Sequence, residues 1–346
     1  MKVDGTMKHE TSTGTEQPAG VRVLNEQEVR SLIGVPEALA AVRDAFARMG
    51  RGETMVPPAM IIWVPENAGE VHIKAAHLHH TPYYAVKFAT MFQHNADLGL
   101  STVSGQVLVF SAVTGFLSGM LLDNGFLTDL RTGAAGALAA DLLARKEVEQ
   151  VAIIGAGIQG RFQLEALLGV RQPRRVRICD LDAVAAEAYA AEMTQRCGLP
   201  VTVAATVQEA LKGSQVVVCT TPAQKPHLMA DWVEPGTHIT AMGSDNPYKQ
   251  ELETRLLAKA DKLVVDSRDM CALNGELHHA LDGKLMTDDD VYAELGEVAA
   301  GLKAGRTSDD EITVADLTGL GIQDTAVASY VMQQAAARGI GRRLEV

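Results

Sequence analysis

The stretch VAIIGAGIQG, residues 151–160, constrains this chain more than any other. A continuous apolar run leads directly into Gly155, Gly157 and Gly160, in the spacing GxGxxG. Alone, that spacing is a weak signal. Here the apolar run reads as a strand and the glycines open the helical pattern IQGRFQLEALLGV. A second strand, VRICD, then ends in Asp180, 20 residues beyond Gly160. Strand, tight turn, helix N-terminus and terminal acid together form the context in which a dinucleotide binds. Gly155 permits the tight turn, Gly157 lets the backbone approach a pyrophosphate, and Gly160 permits close helix–strand packing. Ile158 and Gln159 fill the turn between them and belong to the same cofactor site. The helix N-terminus faces the negative charge. Asp180 would accept hydrogen bonds from the adenosine ribose hydroxyls and repel a 2′-phosphate, so NAD is favoured over NADP. Arg174, Arg175 and Arg177 nearby weaken that preference without reversing it.

The rest of the chain fits around this unit. From Lys146 onward apolar strands and helical stretches alternate: VRICD, VTVAA, VVVCTT, GTHITAMG, KLVVD and ITVADLTG are separated mostly by helical patterns. Such alternation implies a parallel, doubly wound α/β sheet of the Rossmann type. Before it the texture differs. Leu24 to Met49 reads as helical, with an Asn cap in NEQEVRSLI and Pro at the start of PEALAAVRDAFARMG. Short strand-like runs follow, MIIWV, EVHIKAA, YYAVKFATMF and VSGQVLVFSAV, the last turning at Thr114 and Gly115 into a hairpin with GFLSGMLL. This is an α+β block, mostly antiparallel. At 346 residues, about two domains are expected. We expect a disordered tail over 1–21, an α+β substrate-binding and dimerisation domain over 22–130 with 317–346, and a Rossmann domain over 131–316.

Composition excludes some partners. Lys plus Arg total 31 against 43 Asp plus Glu, for a net charge of −12. A general nucleic-acid or anionic-membrane binder needs a basic surface, which this balance does not supply. No apolar run reaches the roughly 18 residues of a membrane span. The opening MKVDGTMKHETSTGTEQPAG has no hydrophobic signal region, so the cytoplasm is the expected compartment. Cys179, Cys197, Cys219 and Cys271 show no CxxC spacing and read as reduced thiols.

Six motifs follow in order: YYAVKF, LSTVSG, LLDNGFLTDLRTGAAG, VAIIGAGIQG, AMGSDNPYKQEL and ITVADLTGLGIQD. Together they resemble the ornithine cyclodeaminase/mu-crystallin family over nearly the whole chain after about residue 22. The resemblance implies hydride transfer between a nicotinamide and the α-carbon of a small amino or imino acid, by a homodimeric enzyme. It implies that Lys87 binds substrate, that Arg131 clamps the α-carboxylate, and that Asp245 stands next to the reacting nitrogen. Thr102 and Thr132 match positions near the cofactor phosphates. Elementary chemistry agrees, since a carboxylate is best held by a planar bidentate donor and a reacting nitrogen needs a proton-exchanging neighbour. Asp245 also follows a parallel strand, at the end where such folds bind ligands.

One departure matters. Ornithine cyclodeaminases carry a glutamate 13 residues before the matching lysine, and here that place is Lys74. A cation there repels a second ammonium and is able to bind a carboxylate. The chain therefore looks more like the alanine dehydrogenase, imine reductase and ectoine-breakdown branches. Two alternatives stand beside this reading: a cyclodeaminase-type ammonia lyase using NAD catalytically, and a non-catalytic, crystallin-like NAD(P)- or ligand-binding protein. His77 and His79 of HLHH share one strand face, but no third ligand is spaced to complete a shell, so no metal is expected. Asp316 and Thr318 end a strand near the expected nicotinamide site, where backbone contact with the cofactor is expected.

Overall fold

The computed structural model describes residues 20–345. The first sheet is built from β1 (Val21–Asn25), β2 (Thr54–Met55), β3 (Met60–Val64), β4 (Gly69–Leu78), β5 (Tyr83–Phe92), β6 (Val103–Ser111) and β7 (Leu117–Leu122). Strands β4 to β7 form a continuous antiparallel meander. β3 pairs with the start of β4 and β2 with its end. β1 joins β7 in parallel. The second sheet is wholly parallel. It comprises β8 (Gln150–Ile154), β9 (Arg175–Cys179), β10 (Val201–Val203), β11 (Val216–Cys219), β12 (His238–Ala241), β13 (Lys262–Val265), β14 (Ala293–Glu294) and β15 (Thr313–Asp316). Its order is β10-β9-β8-β11-β12-β15-β13-β14. The order reverses between β8 and β11, and a doubly wound sheet opens a crevice at such a switch point, beyond its strand C-termini. β16 (Arg342–Leu344) returns to the first sheet beside β1.

The α/β architecture matches the expectation, with local corrections. β1 lies in the stretch expected to be tail and helix, and Val21 is buried in it. Residues 1–19 of the expected tail lie outside the described residues. The edge strands β2 and β14, two residues each, are too short to leave a periodic signal. The expected boundary at 130/131 falls inside one unbroken helix, α3 (Phe126–Leu143), which follows α1 (Glu26–Arg30) and α2 (Val35–Gly50), and the stretch 295–299 packs back on α2. Among the described residues no helix is long and apolar enough to cross a membrane.

α3 ties the two sheets together. It is buried on almost every side, so its Ala- and Gly-rich sequence, not an amphipathic stripe, is what suits it. Leu130, Ala134 and Leu138 join the core of the first sheet, while Ala140 joins that of the second. Its last carbonyls are taken by the buried Arg171 guanidinium, whose Nη2 donates to Ala140 O (3.1 Å) and Asp141 O (2.9 Å). The closing helix, Gly321–Arg338, crosses β4 so closely that a Cβ on Gly321 would press into the Ala75 carbonyl. That crossing brings its first turn onto the strands carrying Lys74 and Lys87.

α3 also packs on α4 (Ile158–Leu168), where a Cβ on Gly133 would lie 2.7 Å from Phe162 O. Backbone cannot yield as a side-chain tip can. Gly133→Ala is expected to lower stability by about 1–3 kcal/mol through overpacking. Urea unfolding checks this; an unchanged midpoint would contradict such close packing.

Candidate active site

The glycine turn has three different constraints. Gly155 follows β8 at φ +109°, and a Cβ there would sit 2.8 Å from Thr220 Oγ1. Gly160 faces the carbonyl of Gly155 so tightly that a side chain would press into it. Gly157, the N-cap of α4, has φ −74° and nothing within 4 Å of a Cβ. Neither its conformation nor the protein's own packing requires glycine, and the space a side chain would fill stays open as room for a ligand. Ile158, Gln159 and Thr132 line the cleft beside it. Asp180 follows β9 and is pinned across the turn, its Oδ2 accepting Ala156 N–H (2.7 Å) and its Oδ1 accepting Asp182 N–H (2.9 Å). Open space at Gly157, a free helix N-terminus and an anchored carboxylate fit a dinucleotide. Thr102 lies at the edge. Its carbonyl accepts Phe92 N–H (2.8 Å), and the neighbouring Val103 and Ser104, not Thr102, line the cleft.

The cleft, about 300 Å³, gathers Lys74, Lys87, Arg131 and Asp245. Lys74 and Lys87 are directly opposite each other across β4 and β5. Facing like charges destabilise a sheet, so this pair needs an external compensator. Asp324, in the first turn of the closing helix, supplies it. Its Oδ1 accepts Arg131 Nε–H at 3.0 Å, and its Oδ2 lies 3.8 Å from Lys87 Nζ. Gln323 Oε1 accepts Arg131 Nη1–H (2.7 Å). Among the described residues Arg131 Nη2 makes no hydrogen bond, which leaves one arm of the fork for a ligand. Lys74 Nζ donates to Thr318 O (3.1 Å) and Gly319 O (2.7 Å).

Burial sets the proton affinities. It lowers Lys87 from the usual lysine range to about 7, against the opposing pull of Asp324. Lys74 is lowered too, by burial and then by Arg131. Burial alone would raise Asp245, but Lys249, with Nζ 2.6 Å from its Oδ1, brings the carboxyl below its ordinary value. The turn after Asp245 is capped by Asn246, whose Oδ1 accepts Tyr248 N–H, so the Asp245 carboxylate is left to the cleft.

Behind the wall lies a line of buried acids. Asp266 accepts Gly319 N–H (2.7 Å) and Thr318 Oγ1–H (3.1 Å). Asp316, the last residue of β15, accepts Leu277 N–H (2.9 Å). Glu276 accepts Glu251 N–H and Leu252 N–H. Glu251 in turn accepts Thr221 N–H (2.6 Å) and Gly243 N–H (2.8 Å). Burial pushes Glu251 and Asp316 up to about 7. These carboxyls hold the loops that carry Thr318, Thr221 and Gly243 into the cleft.

Sequence reasoning missed Asp324, Gln323, Lys249 and Glu251. Asp324 had a signal, the acid in GLGIQD at a helix start, whereas a loop acid such as Glu251 has none. His77, His79 and His80 do not line the cleft; His72 does, two residues from Lys74 on the same strand face. All four cysteines are free, and Cys197 is only partly buried.

Comparison with known proteins agrees with this geometry. The family model described as "Ornithine cyclodeaminase/mu-crystallin family" matches residues 21–339. A putative dehydrogenase of Rhizobium meliloti is 42% identical over 326 residues, covering 94% of this chain and 99% of the relative. An archaeal alanine dehydrogenase dimer with bound NAD superposes with a TM-score of 0.88 at 40% identity, covering 94% and 99% of the two chains. The Delta(1)-pyrroline-2-carboxylate reductase of Thermococcus litoralis, in complex with NADH and L-proline, gives 0.89 at 30% identity, covering 94% and 100%.

If the glycine at 157 serves the bound group, Gly157→Ala leaves stability within about 0.5 kcal/mol and weakens NADH binding at least roughly tenfold, a loss of about 1.4 kcal/mol. Fluorescence titration with NADH, beside thermal melting, checks both. Unchanged NADH affinity would remove the turn from the cofactor site.

Proposed function

The chain belongs to the ornithine cyclodeaminase/mu-crystallin family, and we propose that it is an NAD-dependent oxidoreductase acting on a small imino or amino acid, as a ketimine reductase or amino-acid dehydrogenase. The observation that carries this reading is the convergence of Lys74, Lys87 and Arg131 on one cleft, with Asp324 buried behind them and Ile158 and Gln159 of the glycine turn lining the same cleft. The relatives with NAD or NADH bound support the cofactor, and Asp180 supports NAD over NADP.

The Gly155–Gly160 turn, Thr132 and Asp180 would hold the dinucleotide, which when bound supplies the hydride accepted by the α-carbon of an imino acid. Arg131 is fixed on one side by Asp324 and Gln323, so its remaining arm meets an α-carboxylate without first having to be ordered. Lys74, tied to the 318–319 backbone, adds positive charge where a cyclodeaminase would need an acid. Lys87, brought to about 7, exchanges a proton near neutral pH and is suited to protonate the substrate nitrogen. Asp245 is held ionised by Lys249 and so stabilises positive charge on that nitrogen better than it donates a proton. The acid/base role expected of Asp245 thus passes, in this proposal, to Lys87.

The exposed Met55, Met60, Ile62 and Trp63 on β2 and β3 form an apolar sheet edge that supports a homodimer, as in the archaeal relative. Sedimentation at micromolar concentration should give twice the chain mass; a stable monomer would refute it.

The functional test is a panel of cyclic imino acids, iminosuccinate-type acids, pyruvate with ammonia or methylamine, and ornithine, with NADH absorbance and ammonia release read separately. Net NADH oxidation with an imino acid is expected. Ammonia release from ornithine without net NADH change would overturn the proposal. Reduction needs Lys87 protonated, so its kcat/KM should fall as pH rises through about 7, and the oxidative direction should rise over the same interval. Parallel profiles in the two directions would remove Lys87 from proton transfer.

A further inference from the structure

We propose that Cys219, His227 and Glu251 form a binding site for a borderline-soft divalent cation, of which Zn²⁺ is the type, against the outer side of the cofactor cleft. Their donor atoms lie within 4.8 Å of one another. Cys219 ends β11, and the backbone brings the other two together: His227 N–H and Leu228 N–H both donate to Glu251 O, at 2.9 and 3.1 Å. A tetrahedral zinc site with bonds of roughly 2.0–2.3 Å needs donors somewhat closer, a contraction of about one ångström.

His227 supplies the second observation. Its Nε2 is shut off from solvent and has no hydrogen-bond partner among the described residues. A buried nitrogen left unpartnered costs free energy unless something fills its lone pair. Burial also lowers the imidazole's proton affinity, which keeps it in the neutral, ligating form. Glu251 retains capacity as well, since its Oε2 accepts only Gly243 N–H (2.8 Å) while Oε1 takes both donors of Thr221. Charge balances: a divalent ion with one thiolate and one carboxylate is neutral, so burying it leaves no net charge. Thiolate and imidazole select zinc-like ions over Mg²⁺ and Ca²⁺. Because the Cys219 thiol must lose its proton, uptake releases protons and tightens as pH rises. Glu251 also holds Thr221 and Gly243, so the ion would sit one carboxylate away from the cleft wall.

The test is titration of the full-length, chelator-stripped protein with Co²⁺, followed by absorbance. The expected result is one equivalent bound, with a thiolate-to-cobalt charge-transfer band and tetrahedral visible bands, displaced by Zn²⁺ and not by Mg²⁺. Cys219→Ser should lose the charge-transfer band while the other three thiols remain. His227→Gln, on a partly exposed loop, should weaken binding by at least the roughly tenfold that loss of an outer-shell partner already costs. If Cys219→Ser does not fold, His227→Gln decides alone. No band in the wild-type protein, a band retained in Cys219→Ser, or unchanged affinity in His227→Gln would each overturn the proposal.

Discussion

The buried pair of Arg131 and Asp324 is the interaction on which the site depends. Arg131 comes from the helix that joins the two sheets, and Asp324 from the first turn of the helix that closes over the first sheet. Together they fix those helices relative to each other and set the cleft wall. The carboxylate also has to offset Lys74 and Lys87, placed face to face by strand register. Its position in a helix's first turn favours its charge, because the positive end of the helix dipole lies there. Removing one partner of a buried pair costs about 3–5 kcal/mol. Asp324 reaches Arg131 and Lys87 but forms no ion pair with Lys74, and burial already weakens the hold of Lys87 on its proton, so the positive charge on Arg131 and Lys74 is what an anionic substrate answers.

The nucleotide side follows a different logic. Its turn is governed by sterics at Gly155 and Gly160, and its loops by buried carboxyls. Burial raises Glu251 and Asp316 to about 7, so each is near its protonation midpoint at neutral pH, which lowers the cost of keeping it in the interior while it accepts backbone N–H groups. The line of acids from Asp266 to Glu251 thus carries the loops of the cleft, with burial weakening the tendency of each to ionise.

Much of this was legible in the sequence because the signals are local. The parallel sheet was legible in apolar runs bounded by turns, and the cofactor turn in glycine spacing with Asp180 following. Strand periodicity puts His72, Lys74 and Lys87 on one face once β4 and β5 are paired, so the cationic wall was nearly readable. The compensation was not. Asp324 lies 193 residues beyond Arg131, and nothing local says that the closing helix starts on top of β4. Lys249 shows the same limit in small: it is four residues from Asp245, yet only the fold of the turn turns that spacing into a 2.6 Å pair. β1 was missed because five residues ahead of a capped helix carry too short a pattern to separate from it.

The central claim is that a guanidinium fixed by Asp324 and Gln323, with one arm left for the ligand, and not bulk positive charge, selects the substrate. Arg131→Lys tests it most directly, because it keeps the charge and removes the planar fork. With NADH and an accepted imino acid, kcat/KM should fall at least about thirtyfold, the lower end of the roughly 2–5 kcal/mol lost when a buried charge pair is truncated, while the Kd for NADH stays unchanged. A variant that keeps wild-type kcat/KM, or that loses NADH binding in equal measure, would contradict the account.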